Sequence, residues 1–117
     1  MFTLTVIDKF SSAHKLVNHE GKCKNLHGHT YKVEVDVMRP ELDSNNMVMD
    51  FAVIKDALHA AVLILDHNYI NDVLEEDNPT AEYLAKWFHQ ALSPAFSVSN
   101  VRIWESDTAY ATYRRYR

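Results

Sequence analysis

The chain of 117 residues holds a single cysteine, two glycines and three prolines. One cysteine cannot close an internal disulfide, which agrees with a reducing compartment. Long hydrophobic runs are missing as well: the longest, Ala60 to Leu65, falls far short of the roughly 20 apolar residues a membrane span needs. No charged, apolar, small-residue leader opens the chain, so no membrane and a cytoplasmic location are expected. Positive charge is in deficit. Lys and Arg number 12 against 16 Asp and Glu, and the net charge of −4 argues against a general nucleic-acid surface. Repeats, linkers and low-complexity tracts are absent. With 47% hydrophobic and 24% charged residues, residues 1–117 read as one ordinary globular domain.

Histidine, by contrast, is plentiful, with seven in the chain. His14, His27, His29 and His67 stand in motif-like contexts, whereas His19, His59 and His89 read as surface or helix-face residues. The pair His27-Gly28-His29 is the centre of interest. Two histidines two residues apart point the same way on an extended backbone, so both imidazoles could reach one ion; a helix would splay them. His14 could supply a third nitrogen, and three protein ligands leave zinc the open position of a catalytic site. A chance HxH on an exposed strand face is the competing reading. Gly28 suggests a close approach to the backbone. Cys23 lies between Lys22 and Lys24, whose charges should favour the thiolate and make the sulfur a usable base or nucleophile. A lone cysteine is more often a small buried hydrophobe, but flanking lysines argue against deep burial.

Alternation sets the fold class. Residues 2–8 alternate and predict a strand that runs on toward Ser11 and delivers Phe10 and His14 near its far end. Residues 15–26 have no period and read as a loop carrying Cys23. From His29 to Met38, Tyr31, Val33, Val35 and Val37 face one way and Lys32, Glu34 and Asp36 the other, a half-buried antiparallel strand that Pro40 ends. After a turn at residues 43–46 and a short extended piece, Met47 to Met49, Asp50 can cap a helix whose apolar stripe is Phe51, Ile54, Leu58, Ala61 and Leu65, with Ala57 and Val62 beside it. Residues 66–72 read as a polar loop. Thr80 can cap a second helix burying Ala81, Leu84, Trp87, Phe88, Ala91 and Leu92, which Pro94 stops. Strands at 99–105 and 109–117 close the chain. The order ββααββ predicts an α+β domain with two helices on one face of a four-stranded antiparallel sheet. Two helices leave the other face and the edges to small polar residues or to other subunits, so a homo-oligomer is expected.

Two further sites have two readings each. Asp66-His67 is either a helix-ending polar pair or a carboxylate that orients an imidazole for proton relay. Glu105 ends a strand, either solvated at the rim or placed to accept two hydrogen bonds from an amino-pyrimidine edge. Trp104 reads as core or subunit interface, and Arg114, Arg115 and Arg117 as a basic terminus able to contact phosphate.

These segments converge. FSSAH from Phe10 to His14, CKNLHGHTYKVEV from Cys23 to Val35, VMDFAVIK from Val48 to Lys55, LDHNYIND from Leu65 to Asp72, PTAEYLA from Pro79 to Ala85 and WESDTAYATY from Trp104 to Tyr113 resemble, in order, the 6-pyruvoyltetrahydropterin synthase family. The three residues between Cys23 and His27 are similar to the bacterial branch, the 6-carboxy-5,6,7,8-tetrahydropterin synthases of queuosine and deazapurine biosynthesis. The resemblance implies a tunnelling fold, in which trimers close a barrel and two trimers stack into a hexamer with active sites between subunits. It implies that His14, His27 and His29 bind Zn2+, that Cys23 is a catalytic base, that Asp66 and His67 are a second proton-transfer pair, and that Glu105 anchors the pterin. The implied substrate is a pterin triphosphate. Rival expectations are a 6-pyruvoyl product, a relative acting on sepiapterin, or a zinc-binding interaction protein without turnover.

Overall fold

The computed structural model describes residues 1–115. Its organising element is a long antiparallel hairpin. β1 (Phe2–His14) and β2 (His27–Arg39) pair along their whole length, from Phe2 opposite Arg39 to His14 opposite His27. β2 also pairs with β3 (Asn100–Ser106), and β3 with β4 (Ala109–Arg114), so the antiparallel strands lie in the order β1-β2-β3-β4. The expected last strand extended to Arg117, which lies outside the described residues.

Between β2 and β3 the chain forms α1 (Phe51–Leu65), a four-residue α2 (Ile70–Val73) and α3 (Ala81–Leu92). The expected caps are present. The Asp50 carboxylate accepts from the N–H of Ala52, and the Thr80 hydroxyl oxygen from that of Tyr83. α1 and α3 pack on one sheet face, where Val33, Val35, Val101 and Ile103 meet Ile54, Leu58, Leu65, Leu84, Phe88 and Leu92 in a dry core. The ββααββ order therefore holds, with α2 added.

Several expectations needed correction. α2 begins inside the expected polar loop, where Ile70 is fully buried and the Asn71 side chain bonds to Lys15 and Asp77. Phe51 is exposed: it opens α1 ahead of the core, and the buried stripe starts at Ile54. On α3, Ala91 is exposed and Trp87 half-buried, while Ala85 and His89 face inward. His89 was expected on the surface. It is buried because one ring nitrogen, Nε2, lies 3.0 Å from the Val98 carbonyl and the ring packs on Tyr113. Residues 48 and 49 are bent rather than extended, following a turn in which the Asp43 carboxylate accepts from the N–H groups of Asn45 and Met47.

The opposite sheet face carries an ion network. Asp36, only 6% exposed, accepts from Thr5 Oγ1 at 2.7 Å, Asn100 Nδ2 at 2.6 Å and both Arg102 terminal nitrogens at 3.0 and 3.1 Å. Arg102 also faces Glu34 at 3.5 Å, and Glu34 accepts from the Trp104 indole. Trp104 packs on Tyr110 with Lys32 above its ring, so it belongs to this face and not to the core.

Candidate metal and active site

Strand alternation and register assemble the histidines. His14 stands opposite His27, and Ser12 opposite His29, so all three imidazoles point to the helix-facing side at one end of the sheet. Their ring centroids are 4.5 Å apart for His14 and His27, 4.8 Å for His27 and His29, and 5.1 Å for His14 and His29. Glu105, two residues beyond Ile103 on β3, joins them on the same face. One ligand atom from each of His14, His27, His29 and Glu105 lies within 4.8 Å of all the others.

Hydrogen bonds set the ring tautomers. His14 Nδ1 lies 2.9 Å from the carbonyl oxygen of Pro79, and His27 Nδ1 lies 2.7 Å from that of Asn25. A carbonyl only accepts, so each Nδ1 carries a proton, and in the neutral ring Nε2 is then the nitrogen with the lone pair. His27 Nε2 and His29 Nε2 are buried without any hydrogen-bond partner. His29 Nε2 does lie 3.1 Å from a Glu105 carboxylate oxygen, but the alignment is not that of a hydrogen bond. Two buried, unpartnered nitrogens pointing at a common centre beside a carboxylate are the donor set a divalent cation requires, so the residues present fit a metal.

Electrostatics favour the ligand form. Burial pushes the pKa of His14 down; the Pro79 carbonyl opposes this, while His27 and His29 add to it. His29 is lowered by burial against the pull of Glu105, with His27 adding to the lowering. Neutral imidazoles are what a metal binds. Tyr31, stacked on Phe10 at 4.8 Å, brings its hydroxyl 3.2 Å from both nitrogens of His14, and burial drives its phenol pKa far upward.

Asp66 and His67 form a separate pair beside this group. Asp66 caps the C-terminal end of α1, and one of its carboxylate oxygens lies 3.0 Å from His67 Nδ1. The other accepts from the N–H of Ser11 at 2.9 Å; that bond first, and then His67, hold the Asp66 carboxyl below the usual range. His67 takes a left-handed φ of 58° and an exposed side chain. Segment 67–69 follows the β1 edge: the His67 N–H donates to Ser11 O, and the Ala13 N–H to Asn68 O. An open depression of about 570 Å³ has both His29 and His67 in its lining, so an imidazole of the histidine group and that of His67 border one space.

Cys23 sits in a 3-10 turn, Lys22–Lys24, in the loop closing the β1–β2 hairpin, half-buried and outside the group of four ligand atoms. Gly28 has no positive φ, and a Cβ there would meet only Ser12 O at 3.6 Å, so nothing within the described residues of this chain demands glycine. Arg114 pairs with Asn100, opposite Asp36 on β2. Asp36 is nine residues from His27 along β2, roughly 30 Å at about 3.3 Å per residue, so Arg114 cannot reach the same chain's histidines. Sequence reasoning missed the carbonyls of Asn25 and Pro79, because a main-chain acceptor has no residue signature. It also read Tyr31 only as core.

The family description 6-pyruvoyl tetrahydropterin synthase matches residues 3–116. The chain belongs to this family. A relative from Synechocystis named 6-carboxy-5,6,7,8-tetrahydropterin synthase is 40% identical over 111 residues, covering 89% of this chain and 86% of its own. One from Haemophilus influenzae with the same name is 31% identical, covering 97% and 99%. The solved 6-pyruvoyl tetrahydropterin synthase of Caenorhabditis elegans is 27% identical, covers 98% of this chain and 96% of its own, and superposes with a TM-score of 0.87. The fold of this 6-pyruvoyl tetrahydropterin synthase family member is accordingly the tunnelling fold, with its histidine group at one end of the sheet. No helix among the described residues is long and apolar enough to cross a membrane.

Proposed function

We propose that the chain is a zinc-dependent 6-carboxy-5,6,7,8-tetrahydropterin synthase, a lyase converting 7,8-dihydroneopterin triphosphate and one water to 6-carboxy-5,6,7,8-tetrahydropterin, acetaldehyde and triphosphate. The observation that carries this reading is the pair of buried, unpartnered Nε2 atoms of His27 and His29 beside His14 and Glu105. The name carried by the Synechocystis and Haemophilus relatives supports the choice of product.

His14, His27 and His29 would hold the zinc. Bound there, zinc supplies a Lewis acid beside the side-chain oxygens of the substrate. Glu105 accepts hydrogen bonds from the amino-pyrimidine edge of the pterin, a positional contribution that aims the side chain at the histidines. Asp66 holds the Nδ1 proton of His67, leaving Nε2 free to take and return protons. The Cys23 thiolate is the second base. Acting on different protons, these two groups permit internal redox and loss of triphosphate, after which addition of one water at the ring-side carbon supplies the second carboxyl oxygen and a retro-aldol-type cleavage releases the two-carbon fragment as acetaldehyde. The exposed imidazole of His67 needs a covering surface, and the β1 and β4 edges invite strands from other copies. A homohexamer built as a dimer of trimers meets both needs. A cytoplasmic role in queuosine biosynthesis completes the proposal.

The C. elegans likeness favours one alternative, a 6-pyruvoyl product. Incubating the zinc-loaded protein with 7,8-dihydroneopterin triphosphate, following pterin mass and assaying acetaldehyde, decides between them. A 6-carboxy product with acetaldehyde is expected, and a retained three-carbon side chain rejects it. No conversion by a folded, metal-replete protein would turn the reading toward a zinc-binding protein without turnover.

A further inference from the structure

His14 is the most buried of the three histidines and depends on two separated stretches of chain. Its backbone ends β1, while its ring is fixed by Pro79, which lies 65 residues away just before α3. One side chain ties those stretches together. Asn71, on α2 and 9% exposed, accepts from the N–H of Lys15 at 3.0 Å and donates to the Lys15 carbonyl at 2.9 Å. Its carboxamide thus imitates a neighbouring strand for the residue directly after His14. The second Nδ2 hydrogen goes to the carbonyl of Asp77 at 3.2 Å, two residues before Pro79. The Asn71 backbone carbonyl accepts from the N–H of Glu76 at 3.0 Å, so the same residue holds the start of the loop as well.

This arrangement has only one amide orientation. Two carbonyls require donors and one N–H requires an acceptor, so rotating the carboxamide would set oxygen against two oxygens and N–H against N–H. An aspartate cannot replace it for the same reason.

We infer that Asn71 is a positioning residue for the metal site, clamping the backbone of His14 to the loop whose Pro79 carbonyl fixes the His14 tautomer. This rests on the reading of the histidine group as a metal site. Groups that orient a ligand from behind typically change metal affinity by 10- to 100-fold when removed.

The test compares wild type, Asn71→Asp and Val98→Ala, a core truncation at the far end of the sheet that lowers stability without touching the clamp. Zinc affinity is measured by competition with a chromophoric chelator on folded protein. The His14 tautomer is read from side-chain nitrogen resonances of the metal-free protein. Asn71→Asp is expected to bind zinc about 10- to 100-fold more weakly and to shift His14 partly from the Nδ1–H to the Nε2–H form, with Val98→Ala changing neither. Should Asn71→Asp fail to fold, Asn71→Ser removes the clamp without the oxygen clash and is read the same way. Wild-type affinity and tautomer in the Asn71 variants, or an equal loss in Val98→Ala, overturns the inference alone. A wild type that binds no divalent metal overturns the site reading and this inference with it.

Discussion

His29→Leu should make the metal-free protein no less stable while removing its response to metal. In the metal-free chain His29 Nε2 is buried without a hydrogen-bond partner, a condition that costs about 1–3 kcal/mol for an ordinary polar group. Leucine has a similar volume and no polar atom, so it removes that penalty. Glu105, the only acidic neighbour of the ring in this group, is half-exposed and stays hydrated when the ring is gone. The expected outcome is a metal-free variant as stable as wild type or more stable by about 1 kcal/mol, which is about 4 °C in melting temperature for a chain of this length. Metal reverses the ranking. At a free zinc concentration of 100 times its dissociation constant, wild type gains about 2.7 kcal/mol, about 10 °C, while the variant, with one of three imidazoles gone, gains little. Melting curves at equal protein concentration, with chelator and with zinc, read both arms. A metal-free His29→Leu less stable than wild type by more than about 1 kcal/mol would show that the nitrogen is satisfied after all. An undiminished zinc shift would remove His29 from the ligand set.

Asp36→Ala leaves Asn100 and Thr5 without their acceptor and Arg102 with Glu34 alone, and should cost about 1–3 kcal/mol in urea unfolding; no measurable loss would refute the network's role. Burial alone would raise the Asp36 pKa, but the hydrogen bonds from Thr5, Arg102 and Asn100 outweigh it and the net shift is downward. Its contribution is therefore present above the unfolded carboxylate range and lost as pH falls through the lowered folded value, so the wild-type minus Asp36→Ala difference should shrink only in strong acid. Cys23→Ala should keep zinc affinity and oligomeric state and lose most turnover, since Cys23 lies outside the four-group cluster; unchanged turnover in the product assay would dismiss the base role. Glu105→Gln keeps the shape but accepts fewer hydrogen bonds, so KM for the pterin should rise by about tenfold or more; equal loss of zinc affinity would mark Glu105 as a metal ligand instead.

The parts of the site legible in the sequence are those where side-chain direction follows from local period. HxH in a strand puts two imidazoles on one face, and β1 and β2 alternate clearly enough to show which face is buried. The meeting of His14 with His27 was not legible in that way, because it depends on the register of a 13-residue hairpin ladder, and register is a property of two strands. Asp66 and His67 were visible as neighbours, yet their attachment to Ser11 follows from where α1 ends against the β1 edge. The inward turn of His89 was hidden because its compensation, the Val98 carbonyl, is main chain. α2 was missed because four residues carry too little period to outweigh a polar composition.

Register also links the two faces of the sheet. A one-residue slip of β2 against β1 would send His27 and His29 to the outer face, away from His14, so the site exists only while that register is held. The histidine pair of β2 contributes little to holding it, because His27 Nε2 and His29 Nε2 find no hydrogen-bond partner among the described residues. The holding falls to other pairs. Thr5 opposite Asp36, and Asp36 opposite Asn100, put β1, β2 and β3 into one hydrogen-bonded cluster roughly 30 Å from the histidine end of the sheet. On the helix side, Phe10 stacks on Tyr31 one pair inward from Ser12 and His29. A slipped hairpin would bury Lys32 and Glu34 where Val33 and Val35 now pack and break the Asp36 cluster at the same time. The core alternation and the outer ion network therefore agree on a single register, and that agreement lets a strand end carry three imidazoles that converge on one another.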